Sequence, residues 1–194
     1  MKNAVRIGLV VIMAAMLIIA YYFYLDRQSS RSEAEEAVML SEVERITEKD
    51  LVNDYPMTPR EVVKWYNRII TEYYANTHSD EQIHEMASQQ RRLLDDELLS
   101  YNPEDVFYDN LKRDIDAFAA REQSIRTSKV CSSNDVRYAI VNGDEVAYVT
   151  AYYFQKEGND LFKTYQEFCL RKDDEGHWKI LTYRLTQGDE DDFS

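Results

Sequence analysis

The sequence predicts an α+β domain that follows a single N-terminal transmembrane helix. An unbroken apolar run fills residues 7–25, and apolar residues then recur at helical spacing between about 59 and 119. After about residue 124 the apolar period becomes that of strands, with β-branched and aromatic residues dominating. Helices first and strands last are typical of α+β architecture.

The composition limits the class of protein. The chain has 194 residues, with 36 acidic and 23 basic side chains and a formal charge of −13. That length suits one domain, and so acidic a chain is not expected to bind nucleic acid, because phosphate binding needs clustered Lys and Arg. At 44% apolar residues, with 15 tyrosines, the chain is expected to fold around a core.

Residues 7–25 carry no charged or amide side chain. As a helix they extend roughly 28 Å, close to the thickness of the bilayer's hydrocarbon core. Lys2 and Arg6 precede the run, and Tyr21-Tyr22-Phe23-Tyr24 forms an aromatic belt at its other end. We therefore expect a single-pass cell-membrane protein with residues 1–6 in the cytoplasm and the C-terminal domain extracellular.

A cleaved signal peptide is the main alternative to an uncleaved anchor. Cleavage requires small residues at the −3 and −1 positions before the cut. Of Ile18 and Ala20, which would take these positions, only the alanine is small. The bulky tyrosine-rich run is also a poor cleavage region, so we favour the anchor over both the signal peptide and a buried core helix. Without Lys2 and Arg6 the exported part carries 21 basic and 36 acidic residues, a net charge of −15.

Residues 26–57 are predicted to form a polar, partly helical linker. Acidic and apolar residues alternate at roughly helical spacing between 33 and 50, which is typical of a stalk, a short coiled coil or a helix laid on the domain. The domain itself is expected to span residues 58–187, followed by an acidic tail at 188–194.

Three helices are expected at the start of this domain. Thr58-Pro59-Arg60-Glu61 and Ser79-Asp80-Glu81-Gln82 have the form of capping boxes, and Asn102-Pro103-Glu104 is a third start signal. Apolar residues follow each signal at helical spacing, with a possible break near Gln90.

Four long strands are expected to form an antiparallel meander, at 136–142, 145–156, 161–172 and 177–187. Asn142-Gly143 predicts a tight hairpin, because both central positions of a type I′ turn need positive φ. Residues 125–131 are either an additional strand or the first half of a bent one. One face of the sheet is expected to pack on the helices, while the other is rich in tyrosine.

The capped helix from Pro59, the Asn142-Gly143 hairpin and the final strand from Trp178 to Leu185 resemble the NTF2-like superfamily, in the order of elements over about residues 58–187. The resemblance implies three helices packed on a curved antiparallel meander sheet that forms a cone. An N-terminal anchor before such a domain is similar to uncharacterised membrane-anchored proteins of Gram-positive bacteria and to the layout of VirB8-type components of conjugation machines. Neither resemblance implies a catalytic residue in this chain.

NTF2-like enzymes often place an Asp or Glu base and a Tyr donor in a cavity between sheet and helices. The resemblance therefore makes five tyrosines candidates for lining such a cavity: Tyr138, Tyr148, Tyr152, Tyr165 and Tyr183. No acid lies at a clear inward position of the long strands. The ordinary explanation for these tyrosines is therefore that their rings pack in the core with the hydroxyls at its rim.

Cys131 and Cys169 are the only cysteines, and an oxidising exterior makes a disulfide between them possible. Two independent thiols are the alternative. We predict no catalytic, cofactor-binding or metal-binding residues, because His78, His84 and His177 lack ligand spacing and no nucleophile or phosphate-binding motif is present.

The sequence therefore predicts a non-catalytic extracytoplasmic interaction or assembly module that needs no cofactor. Its expected partners are the membrane, through the N-terminal helix, and a protein partner or a second copy. Tyr153 and Tyr165 are the predicted interaction face, because tyrosine is enriched at interfaces. The alternative is a small hydrophobic-ligand-binding or isomerase-like domain with a closed apolar pocket and an ionisable residue at its floor.

Overall fold

A computed structural model describes residues 41–75 and 77–187 of the chain, which from Glu42 onward belong to one compact unit. The predicted anchor at 7–25 and the acidic tail at 188–194 lie outside these residues. In the part of the chain that is described, no helix is both long enough and apolar enough to cross a bilayer.

The described residues form an α+β fold, as predicted. The helices are α1 Glu42–Thr47, α2 Pro59–Tyr73, α3 Asp80–Arg91, α4 Asp96–Ser100 and α5 Glu104–Ala120. The strands are β1 Gln123–Val130, β2 Arg137–Val141, β3 Asp144–Glu157, β4 Asp160–Lys172 and β5 Trp178–Thr186.

Both predicted capping boxes are confirmed. The Thr58 hydroxyl accepts from the Glu61 amide while the Glu61 carboxylate accepts from the Thr58 amide, and Ser79 and Gln82 repeat the arrangement at α3. Each box satisfies backbone N–H groups that the first helical turn leaves unpaired. The third start is also confirmed, although Pro103 there provides no side-chain cap.

The strands β2 to β5 form an antiparallel meander. The segment predicted at 125–131 is a separate strand, since β1 pairs with residues 151–157 of β3 and β2 pairs with residues 144–148 of the same strand. The Asn142-Gly143 hairpin is confirmed by φ values of 55° and 100°. The two successive strands β1 and β2 therefore share one edge of β3, and β4 occupies the other.

The core lies between α2 and the sheet. Residues of α2 are buried against inward residues of the central strands: Val62, Val63, Tyr66, Ile69, Tyr73, Ala147, Val149, Ala151, Phe168 and Leu170. Helix α1 also contributes, because Val43 and Ile46 are buried and Arg68 donates to Glu42 at 2.6 Å. Of the alternatives for the segment 33–50, its described part therefore corresponds to a helix laid on the domain.

A buried ion pair joins the α3–α4 connection to the sheet. The backbone of residues 93–95 runs along the outer edge of β5, with Asp95 N–H donating to the Ile180 carbonyl at 2.9 Å. Arg171 of β4 then reaches Asp95 through two bonds, Nε–Oδ2 at 3.0 Å and Nη2–Oδ1 at 2.5 Å. The pair fixes the position of the helical layer on β4 and β5.

Candidate functional site

The predicted interaction face of Tyr153 and Tyr165 is wrong for Tyr153. This side chain is 4% exposed, and its hydroxyl donates to Asn67 Oδ1 of α2 at 2.6 Å. Tyr165 lies on the other face of the sheet, half-buried and 6.1 Å from the Tyr152 ring. The error arises because both alternating sets of β3 are apolar, so that alternation alone does not identify the inward set.

No disulfide joins Cys131 and Cys169 within the described part of the chain. Cys131 N–H donates to Thr150 of β3 from the β1–β2 side, whereas Cys169 pairs with Tyr148 from the β4 side. The whole width of β3 therefore separates the two thiols, and the structure corresponds to two independent cysteines.

The three histidines lie apart, as their spacing indicates. His78 contacts Glu72 at 3.1 Å, His84 packs on Tyr108, and His177 packs on Tyr55. No group of three His, Cys, Asp or Glu able to hold a metal ion occurs among residues 41–75 and 77–187.

Strand β2 exposes an unusual amount of apolar surface. Tyr138 is 62% exposed, Ile140 76% and Val141 42%, and we call these three residues the β2 edge surface. Among the described strands, β2 pairs only with β3, so its second edge presents backbone N–H and C=O groups to solvent. Exposed apolar edge strands are templates for pairing with another chain.

The β2 edge surface contains no acidic residue, although the chain is strongly acidic. The one charged residue of β2, Arg137, lies opposite Tyr148 and bonds to Glu167 of β4 at 2.5 Å. Glu167 also accepts from Arg184 at 2.8 Å, so one carboxylate is shared between two bases and Arg137 remains the single charged side chain of β2.

A second candidate lies where α2, α5 and β5 surround an open cleft of about 420 Å³. Its floor consists of the buried residues Tyr66, Tyr73 and Gln90. Its walls and rim are formed by Ile70, Tyr74, Asn102, Phe107, Asn110, Leu111, Arg113, Asp114 and Tyr183. We call this site the tyrosine cleft.

Hydrogen bonds hold the polar groups of the tyrosine cleft. The Tyr73 hydroxyl donates to Gln90 Oε1 at 2.8 Å, and the Tyr74 hydroxyl donates to Asp114 Oδ2 at 2.8 Å. Burial raises the pKa of Tyr66, Tyr73 and Tyr74 above the ordinary 10.0. These phenols therefore remain protonated donors at neutral pH and are unsuited to act as bases or nucleophiles.

The cleft differs from the closed apolar pocket that the sequence predicted as an alternative. It is open, its floor carries an amide, and its acid, Asp114, is exposed at the rim rather than buried at the floor. Of the tyrosines proposed to line a cavity, Tyr183 lines it, whereas Tyr138 packs edge-on against Trp178 at 5.8 Å. Tyr148 lines a separate shallow pocket beside Cys169.

Comparison with known proteins places the chain in one family. Residues 1–183 match the family described as "Domain of unknown function (DUF6715)", and the chain belongs to it. No curated protein matches the chain. Among solved structures, that of TraH from the Gram-positive conjugative plasmid pIP501, determined by NMR in solution, aligns with a TM-score of 0.31 and 16% identity. The alignment covers 64% of this chain and 94% of TraH, and at that TM-score it supports neither a shared fold nor a shared function.

Proposed function

We propose that this member of the DUF6715 family is a non-catalytic assembly module in which two copies pair along their β2 strands. Residues 7–25 hold the module at the outer face of the cell membrane. The observation that carries the proposal is the β2 edge surface, which combines an unpaired strand edge with exposed Tyr138, Ile140 and Val141.

The sequence of β2 suits antiparallel pairing with itself. When two copies pair symmetrically about Ala139, Tyr138 of one copy lies across from Ile140 of the other, and Arg137 lies across from Val141. Aromatic and β-branched residues stabilise one another as cross-strand neighbours, and no like charges meet. The main-chain groups of the two edges provide the hydrogen bonds, as in other strand additions.

The small size of the β2 edge surface explains why anchoring to a membrane would be needed for two copies to pair. Full burial of a large apolar side chain contributes about 1.5–3 kcal/mol, so covering the partly exposed Tyr138 and Ile140 on both copies contributes roughly 4–8 kcal/mol. Loss of translational and rotational freedom offsets much or all of that gain in solution. Confinement to one membrane raises the effective concentration of the copies and makes so weak a contact productive.

Disulfide trapping tests this arrangement in the membrane. Symmetric pairing brings the two Ala139 residues opposite each other at about 4.5–5.5 Å between Cα atoms, which is within disulfide range. We expect the full-length Ala139→Cys variant to form covalent dimers under mild oxidation. The native chain reports the background from Cys131 and Cys169, and Leu161→Cys, at a site that is 59% exposed, is the matched control.

Dimers that form with Ala139→Cys but not with Leu161→Cys support pairing through β2. Equal trapping by the two variants, or none above background in either, contradicts it. Adding Ile140→Lys to the Ala139→Cys chain should abolish trapping, because each copy would then place a charged lysine across from Tyr138 of the other.

A further inference from the structure

We infer that the tyrosine cleft binds a neutral carbohydrate. The cleft lies away from β2, and at about 420 Å³ it is within the range of small-molecule sites. Aromatic rings, amides and a balanced charge point to this ligand class, independently of how copies of the chain assemble.

The aromatic residues of the cleft provide flat, firmly held surfaces. The Tyr74 ring stacks on Phe118 with 4.0 Å between centroids, and its hydroxyl is fixed by Asp114. At the rim, the Tyr183 ring lies 6.2 Å from that of Tyr66 and is 46% exposed. The electron-rich face of such a ring favours the C–H face of a pyranose, which carries partial positive charge.

The polar residues of the cleft suit a ligand that carries many hydroxyl groups. Gln90, Asn102 and Asn110 place three amides among its lining residues. Gln90 Oε1 accepts from Tyr73, Asn110 Oδ1 accepts from Arg113, and Asn102 Nδ2 donates to the Leu98 carbonyl. The N–H groups of Gln90 and Asn110 and the oxygen of Asn102 are therefore the parts of these amides that complement sugar hydroxyls. A wholly apolar ligand would bury the Gln90 amide at the floor without offering it a hydrogen bond, which costs free energy.

The charge of the cleft favours a neutral ligand. Its lining contains one base, Arg113, and one acid, Asp114, both exposed at the rim. Arg113 bonds to Asn110 and to the Asp109 carbonyl, while Asp114 accepts from Tyr74. These two opposite charges are neighbours at the rim and offset each other, so the lining suits a ligand without net charge, and the chain's net charge of −13 further disfavours an anion.

The test uses the full-length chain in phospholipid nanodiscs, because glycoside detergents would compete for the site. Saturation-transfer NMR and calorimetry are run with glucose, N-acetylglucosamine, maltose and cellobiose, with choline chloride as the cationic comparison. We expect saturable binding of at least one sugar, with a dissociation constant of about 1 mM for a ligand of this size.

Two cleft variants and one matched control locate the binding. Tyr183→Ala removes a rim ring and should weaken sugar binding at least tenfold, as should Asn110→Ala, which lies on an exposed helical surface and leaves the core intact. Tyr101→Ala removes a tyrosine that is 76% exposed and outside the cleft, and should leave binding unchanged within twofold.

Saturable sugar binding that both cleft variants weaken and the control retains supports the inference. No saturable binding of any of the four sugars, binding of choline alone, or equal loss in Tyr101→Ala overturns it. None of these outcomes depends on the β2 edge, so the two proposals succeed or fail separately.

Discussion

The hydrogen bond between Tyr153 and Asn67 is predicted to be a determinant of stability. Its O···O distance is 2.6 Å, and the two residues are 4% and 1% exposed. Asn67 Nδ2 has no hydrogen-bond partner in the described part of the chain. Tyr153→Phe would leave the whole buried amide unpaired, so we expect a loss of about 2 kcal/mol in the free energy of unfolding. Tyr101→Phe, at a side chain that is 76% exposed, should cost less than about 0.5 kcal/mol.

A double-mutant cycle separates this bond from general effects of substitution. Asn67→Leu removes the buried amide, and the combination with Tyr153→Phe replaces both polar groups by apolar ones of similar size. The double variant should therefore be more stable than the sum of the single losses predicts, by about 1–2 kcal/mol. Urea unfolding of the full-length chain in detergent, followed by the fluorescence of Trp65 and Trp178, measures all four variants. A Tyr153→Phe variant as stable as the native chain, or an equal loss of stability in Tyr101→Phe, would refute the assignment of Tyr153 to the core.

Three further predictions concern other parts of the domain. Burial raises the folded-state pKa of Tyr55, Tyr66, Tyr73, Tyr74 and Tyr153 above 10.0, so stability present below pH 10 should fall as the pH rises further, by up to about 1.4 kcal/mol per pH unit for each phenol, and phenolate absorbance should rise together with unfolding. Burial lowers the pKa of Lys179, which adds stability only as the pH rises towards 10.5 and therefore does not offset the loss at higher pH. Asp95→Ala should lower the free energy of unfolding in urea by about 2 kcal/mol, because it breaks the ion pair with Arg171. The loss is small for a broken ion pair because the Arg171 side chain is 26% exposed, and Asp96→Ala, at an exposed position, should cost little. Gly143→Ala should lower the melting temperature, because a residue with a Cβ is strained at a φ of +100°, whereas Asp174→Ala, at an exposed position of another turn, should leave it unchanged.

Local signals in the sequence predicted the elements but not the packing of the sheet. The capping boxes at Thr58 and Ser79 and the Asn142-Gly143 turn depend on neighbouring residues, and all three formed as expected. The inward face of β3 depends on a partner far along the chain, because Asn67 selects Tyr153 across 86 residues. No periodicity within one strand carries that information.

The sequence did not predict the tyrosine cleft, because the cleft also depends on contacts between residues far apart along the chain. Its acid, Asp114, lies on α5 and accepts from Tyr74 across 40 residues, a contact that no helical spacing within α5 indicates. The strand that carries the β2 edge surface could be predicted from the sequence, since Tyr138, Ile140 and Val141 lie beside the tight turn at Asn142-Gly143. What the sequence did not reveal is that no other described strand covers them.

Pairing of two copies through β2 is tested most directly by the proximity of copies within one membrane, where confinement raises their effective concentration. Energy transfer between donor-labelled and acceptor-labelled copies of the full-length chain in liposomes should exceed the transfer expected for randomly distributed chains. The Ile140→Lys variant should give only the random value, while Leu161→Lys should behave as the native chain. A native chain that gives only the random value at the highest protein-to-lipid ratio reached, or an Ile140→Lys variant that transfers as the native chain does, would contradict assembly through β2.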